Sequence, residues 1–249
     1  MTDQIPDKLL ITGASSGVGK SLADYFSDRF HVIVAARRKE RLEDYFGKRE
    51  QFSVYQVDLG NPIDVALFSD KIVAEHGYIP YLINNAGVNS RGKIEDLAMD
   101  TVLHSVRVNA LSPLFLMKKL LPAMRQYNFG RIINVTSGAP LNCFQGFGAY
   151  SASKGFLNAL TVTAAREQEG YNIKINLMSP GPVRSEMAPD SDLDPDICHP
   201  TADHLISLDE DGPTGGFYWL GYEVPLFPDL EGIKWLEGDA GGKLKKVFE

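Results

Sequence analysis

The chain has 249 residues, 44 % of them apolar, and 25 lysines and arginines against 32 aspartates and glutamates give it a formal charge of −7. That composition suits one large α/β core better than two small ones, and an acidic balance with no basic cluster argues against a general nucleic-acid or membrane-surface role. No apolar run reaches membrane length and Met1 to Asp7 lacks the charged start and apolar run of a signal peptide, so a cytoplasmic chain is expected; Cys143 and Cys198 have no metal-ligand spacing, so no metal is expected.

Lys8 to Thr12 predicts a short apolar strand, followed by Gly13-Ala14-Ser15-Ser16-Gly17-Val18-Gly19 and a helical pattern at Leu22, Ala23 and Phe26. Glycines let the backbone approach a diphosphate, and the amides at the helix start attract phosphate oxygens. Gly13, Ser15, Ser16, Gly17, Val18 and Gly19 are therefore candidate dinucleotide contacts. His31 to Ala36 predicts the second strand, whose end commonly carries an acidic residue for ribose hydroxyls. Here Ala36 stands in that place, followed by Arg37 and Arg38. Two guanidinium groups suit the 2′-phosphate of NADP(H); the competing reading is the start of a solvated Arg-Arg-Lys-Glu-Arg helix face.

Phe52 to Val57 predicts a third strand running into Asp58-Leu59, with Asp58 offered to an adenine amino group, and a helix follows from about Pro62 to His76. Tyr81 to Gly87 reads as a strand entering a tight turn, where Asn85, Ala86 and Gly87 let the chain pass close to a cofactor ribose and asparagines tie neighbouring strands. A long helical region from about Ile94 to Tyr127 carries Pro113 near a break or bend. Asn109, just before it, disfavours a regular helix, so a main-chain or water hydrogen bond is expected there.

The run Arg131 to Val135 predicts a fifth strand that delivers Ser137, and Tyr150 follows thirteen residues later at the head of Tyr-Ser-Ala-Ser-Lys. If Ala149 onward is helical, Tyr150 and Lys154 share one face at i and i+4. A nearby ammonium favours the phenolate and pulls the phenol down from about 10. Tyr150 then serves as a proton donor and acceptor, with the Ser137 hydroxyl holding a substrate oxygen beside it. Ile173 to Met178 predicts a sixth strand ending in Ser179-Pro180-Gly181-Pro182-Val183. Strands of near-continuous Val, Ile and Leu alternating with helices predict a single-domain, Rossmann-type, doubly wound parallel sheet. Ligands should then lie outside the carboxyl ends of its strands, where the motifs fall.

These residues resemble the short-chain dehydrogenase/reductase family over roughly Lys8 to Met187. The shared motifs are Thr12, Gly13, Gly17 and Gly19; Asn84 to Gly87; Ser137, Tyr150 and Lys154; and Pro180 to Val183, in family order. The resemblance implies that Asn109 is a fourth catalytic member carrying a water that relays protons to Lys154, that Lys154 also holds ribose hydroxyls, that Arg37 faces the 2′-phosphate with Arg38 binding it or stacking on the adenine, and that Pro180, Gly181 and Val183 line the nicotinamide. Ser185 replaces a threonine common two residues after that valine. Asp211 to Phe217 resembles the ending of carbonyl-reductase-like members.

The implied reaction is hydride transfer between a nicotinamide and a carbonyl or secondary alcohol, in a pocket drawn from Ser137, Ala139, Leu141, Phe144, Phe147 and Met187. An NAD-dependent alcohol dehydrogenase and a non-catalytic dinucleotide sensor are the alternatives. Residues 188–200 are acidic and proline-punctuated, which suggests a short or mobile lid. Residues 1–222 are expected to form the domain and 223–249 an extension, in which Trp235, Leu236 and Val247 cover an apolar patch or belong to a flexible end. The resemblance suggests a homodimer or homotetramer, while the carbonyl-reductase-like ending keeps a monomer open.

Overall fold

A computed structural model describes residues 7–228 together with Leu230 and Ile233. Its strands β1 (Lys8–Thr12), β2 (His31–Ala36), β3 (Phe52–Gln56), β4 (Tyr81–Asn84), β5 (Gly130–Val135), β6 (Ile173–Ser179), β7 (Phe217–Trp219) and β8 (Tyr222–Glu223) form one sheet in the order 3-2-1-4-5-6-7-8. Only β8 runs antiparallel, against β7. The order reverses between β1 and β4, which opens a crevice at the carboxyl ends of both strands.

The sheet is buried on both faces, and the period of two sorts each strand between two cores. Val32, Val34 and Ala36 face α1 (Gly17–Phe26), α2 (Lys39–Phe46) and α8 (His199–Ile206), whereas Ile33 and Ala35 face α3 (Pro62–His76), α5 (Ser112–Gln126) and α7 (Gly148–Arg166). A strand wetted on neither side has no use for alternation, which is why these segments read as unbroken apolar runs.

The predicted helix from 94 to 127 divides. A single 3₁₀ turn, Ile94–Asp96, precedes α4 (Met99–Val106), and a π-helical turn, Arg107–Leu111, joins α4 to α5. Pro113, expected near the break, sits instead in the first turn of α5, where a missing amide costs little. The irregularity falls on Asn109, whose side chain is bonded to the main chain of Val88. A short helix, α6 (Ala139–Asn142), lies between Ser137 and Tyr150. Residues 195–198 form a 3₁₀ turn leading into α8, so the acidic segment is short and partly helical.

At the carboxyl end β8 straddles the expected boundary at 222/223. The Val224 amide bonds the Phe217 carbonyl at 2.7 Å, and Val224 and Leu226 pack against Ala110, Leu157 and Phe217. Trp235, Leu236 and Val247 lie outside the described residues. Among the described residues no helix is long and apolar enough to cross a membrane.

At the opposite edge of the sheet from the crevice, His31 Nε2 is 2.8 Å from Ser53 Oγ and His76 Nε2 is 2.7 Å from the Tyr55 hydroxyl, with the two imidazoles 5.8 Å apart. Burial and then the Lys8 charge hold His31 below its ordinary value; burial, His31 and Lys8 do the same to His76, with Glu75 pulling the other way. A depressed imidazole takes up its proton later in the folded chain than in the unfolded one, so stability is lost as pH falls below about 6.5. The melting temperature of the His31→Gln/His76→Gln chain should fall a few degrees less than that of the parent between pH 7 and 5. Equal losses would remove the pair from acid sensitivity.

Candidate active site

β5 ends at Val135 and the chain delivers Thr136 and Ser137 above the sheet, while α7 begins two residues before Tyr150 and so places Tyr150 and Lys154 one turn apart on one face. A buried polar ladder fixes α7 against the strands: Asn84 Nδ2 donates to Asn134 Oδ1 at 2.8 Å, Asn134 Nδ2 donates to Thr161 Oγ1 at 2.8 Å, and the Thr136 hydroxyl donates to Asn158 Oδ1 at 2.5 Å. Breaking such a ladder strands amides in a dry interior, so its cost exceeds that of one bond.

Ser137 Oγ accepts the Ala139 amide at 3.1 Å and is hydrogen-bonded with the Tyr150 phenol. Burial raises the Tyr150 phenol above its ordinary value, and hydrogen bonding with Ser137 pulls it partly back. This is opposite in direction to the lowering by Lys154 read from the sequence. The physical reason is burial, which disfavours the phenolate, while Lys154 Nζ donates to the Val135 carbonyl at 2.7 Å. Burial alone brings the ammonium down to about 8.

Asn109 is fully buried and fully engaged. Its Oδ1 accepts the Val88 amide at 2.8 Å, and its Nδ2 donates to the Val88 carbonyl and to Ser153 Oγ, both at 2.9 Å. Gly87 is the floor on which these groups meet. A Cβ there would stand 3.3 Å from Asn109 Oδ1, 3.6 Å from Lys154 Nζ and 3.8 Å from Met187 Cε. Asn109, Lys154, Gly87 and Met187 thus converge on one point next to Tyr150.

The glycine turn is built by two kinds of demand. A Cβ on Gly13 would strike Ala86 Cα at 2.7 Å, on a backbone already left-handed at φ +71°, whereas at Gly19 packing alone excludes a side chain, since a Cβ would stand 2.5 Å from the Gly13 carbonyl. Gly17 is required by its backbone: its φ of +54° is left-handed, while a Cβ there would meet only Ser185 Cβ, at 3.1 Å. The Ser16 side chain makes no cap to α1, so the helix start keeps unpaired amides facing outward. A dinucleotide diphosphate fits this cradle. Thr12 Oγ1 accepts the amides of Asn85 and Ala86, both at 3.1 Å, and Asn85 Nδ2 donates to the Thr12 carbonyl at 2.9 Å, so Asn85 and Ala86 brace the turn. Val18 and Leu59 point into the cores, while Asp58 Oδ1 accepts the Gly60 amide at 2.9 Å.

The two arginines after β2 part company. Arg37 is exposed, with its carbonyl held by Gln56 and its guanidinium in no ion pair among the described residues. Arg38 lies over the turn: its Nη2 donates to Ser16 Oγ at 2.9 Å and Ser15 Oγ at 3.1 Å, and its Nη1 reaches both Glu186 oxygens at 2.7 and 2.8 Å. Arg41 also pairs with Glu186. Neither Arg41 nor Glu186 was visible as a site residue in the sequence, because they meet across 145 positions.

Of the proposed pocket residues, Ala139 is buried in α6, whereas Leu141, Phe144 and Met187 are exposed and wall an open rim. Phe147 packs edge-on between Phe144, at 6.0 Å, and Tyr150, at 6.2 Å. Val183 is buried and paired with Leu193, while Pro180 and Gly181 turn the chain above β6. Trp219, which sequence reasoning missed, belongs to the same rim: a Cβ on Gly181 would stand 2.9 Å from its Nε1. The signal available was an aromatic at the carboxyl end of a strand.

A family model described as short chain dehydrogenase matches residues 7–196. A 3-ketodihydrosphingosine reductase from Bacteroides thetaiotaomicron is 35 % identical over 181 residues, which cover 71 % of this chain and 64 % of the relative. The chain therefore spans less than two thirds of that protein's length. Among solved structures, 4-hydroxyisoleucine dehydrogenase complexed with NADH superposes with a TM-score of 0.81 at 27 % identity, over 86 % of this chain and 96 % of that one. ElxO with NADP bound gives 0.78 at 25 %, over 86 % and 97 %.

Proposed function

The chain belongs to the short-chain dehydrogenase family, and from that premise we propose that it is an NADP(H)-dependent reductase of a ketone or aldehyde with a mainly apolar body. The observation that carries this reading is the meeting of Ser137, Tyr150 and Lys154 in one crevice with the glycine turn, at the switch point of the sheet. A bound nicotinamide supplies the hydride. The glycine turn and the start of α1 hold its diphosphate, and Asn85, Ala86, Gly87, Pro180, Gly181, Val183 and Ser185 frame its path across the crevice.

The chain's own residues supply position and a proton. Ser137 orients the substrate oxygen toward Tyr150, whose phenol, held protonated by burial, donates as the carbonyl becomes an alcohol. Lys154 stabilises the charge left on the phenol and reaches ribose hydroxyls, and Asn109 steadies the Gly87 floor from below. Leu141, Phe144, Phe147 and Met187 favour apolar substituents at the rim. Preference for NADP(H) rests on Arg38 at the turn and on Ala36, which presents no carboxylate to a phosphate.

The test is a panel of ketones and aldehydes, offered with NADPH and with NADH and followed by loss of nicotinamide absorbance. Reduction of several apolar carbonyls with NADPH favoured is the expected result. A panel turned over equally well with NADH would overturn the cofactor preference, and a panel untouched with either would overturn the reductase assignment.

A further inference from the structure

The arginine at the glycine turn already holds an anion of the protein's own. Arg38 brackets Glu186 through Nη1 while its Nη2 holds Ser15 and Ser16, and Arg41 grips the same carboxylate from the first turn of α2. Two guanidinium groups around a pair of anionic oxygens, with the Ser15 and Ser16 hydroxyls beside them on Arg38, are a donor set that recognises a phosphate monoester. Glu186 remains ionised there, because hydrogen bonds from Arg41 and then Arg38 hold it below the usual carboxylate range.

Resting on the cofactor reading above, we propose that Glu186 is a built-in competitor for the 2′-phosphate of the cofactor, occupying Arg38 and Arg41 beside Ser15 and Ser16 until a phosphate displaces it. The carboxylate does not merely decorate the surface, because of where its neighbours sit. Ser185 lies against Gly17 of the turn and Met187 lies over Gly87 and Lys154, so the three consecutive residues span the crevice from the phosphate cradle to the reaction centre. When a phosphate takes Arg38 and Arg41, the segment loses the ion pairs that pin its middle residue. A cofactor without that phosphate leaves them in place. Glu186 thereby lowers affinity for the phosphorylated cofactor and links its binding to release of the segment beside the substrate.

The test compares Glu186→Gln with the parent chain in calorimetric titrations with adenosine 2′,5′-bisphosphate and with adenosine 5′-monophosphate, which differ only in the 2′-phosphate. Asp190→Asn makes the same change in net charge four residues away and serves as the control. Glu186→Gln should bind the bisphosphate about three- to thirty-fold more tightly, the size set by two half-exposed ion pairs. Its affinity for the monophosphate should stay within about twofold, and Asp190→Asn should match the parent with both ligands. Added salt should narrow the gain, since pairs this exposed are screened.

An unchanged bisphosphate affinity, or an equal gain with the monophosphate, would overturn the competitor role. A parent chain that prefers the bisphosphate while Glu186→Gln behaves identically keeps the NADP(H) reading and removes this one. A parent that binds both ligands alike while Glu186→Gln favours the bisphosphate does the reverse.

Discussion

Tyr150→Phe is expected to lower turnover in carbonyl reduction by about 10²- to 10⁴-fold, the usual worth of a positioned proton donor. The ring that packs against Phe147 at 6.2 Å remains, so the rim and the start of α7 should keep their shape. Melting temperature and cofactor affinity should therefore match the parent within error, and the loss should appear in kcat more than in KM. Steady-state kinetics on the best substrate of the carbonyl panel, with a parallel cofactor titration, decide the matter. Retention of more than about a tenth of the turnover would take the proton-donor role from Tyr150.

Replacing Ala36 with Asp and Arg38 with Ala in one chain should reverse the cofactor preference. Hydrogen bonds to charged groups contribute roughly 1.5–3 kcal/mol each, so loss of one arginine removes about ten- to a hundred-fold of NADPH selectivity before screening. The new carboxylate repels a 2′-phosphate and accepts from free ribose hydroxyls, which widens the swing. The ratio of kcat/KM for NADPH and NADH, measured in both chains, reports it. Arg37→Ile alone should change that ratio little, because its guanidinium stands in solvent while Arg38 holds Ser15 and Ser16. A ratio unchanged in the double variant, or one collapsed by Arg37→Ile, would return the phosphate to Arg37.

The parallel strands were legible almost to the residue because each is buried on both sides and must be apolar throughout; the ends of β1 and β2 agree with the sequence reading. Tyr150 and Lys154 were legible as a pair because helix periodicity sets them one turn apart, and Ser137 joined them through the end of the fifth strand and the family resemblance. What escaped was decided by tertiary contacts. Nothing in Arg37-Arg38 says which side chain turns back over the serines, and the anion that settles Arg38 comes from residue 186. The direction of the Tyr150 shift also escaped. Spacing on a helix reveals that a lysine lies one turn away, but not how deeply the phenol beside it is buried. The helix from 94 to 127 was overextended for the same reason: the partner of Asn109 is Val88, on another segment.

The π-helical turn at Arg107–Leu111 sets the rotational phase of everything after it. Such a turn amounts to one residue more than an α-helix needs over the same rise, and each α-helical residue advances the azimuth by about 100°. Leu116, Met117, Leu120 and Met124 reach the sheet only with that surplus residue counted. Winding the same residues as a regular helix would swing that apolar stripe about a quarter-turn off the sheet, whereas deleting one position would restore the regular helix with its stripe in phase. The turn that seats Asn109 under the reaction centre is thus also the indexing step of the longest helix pair in the fold, and at its present length the chain cannot regularise one without misaligning the other.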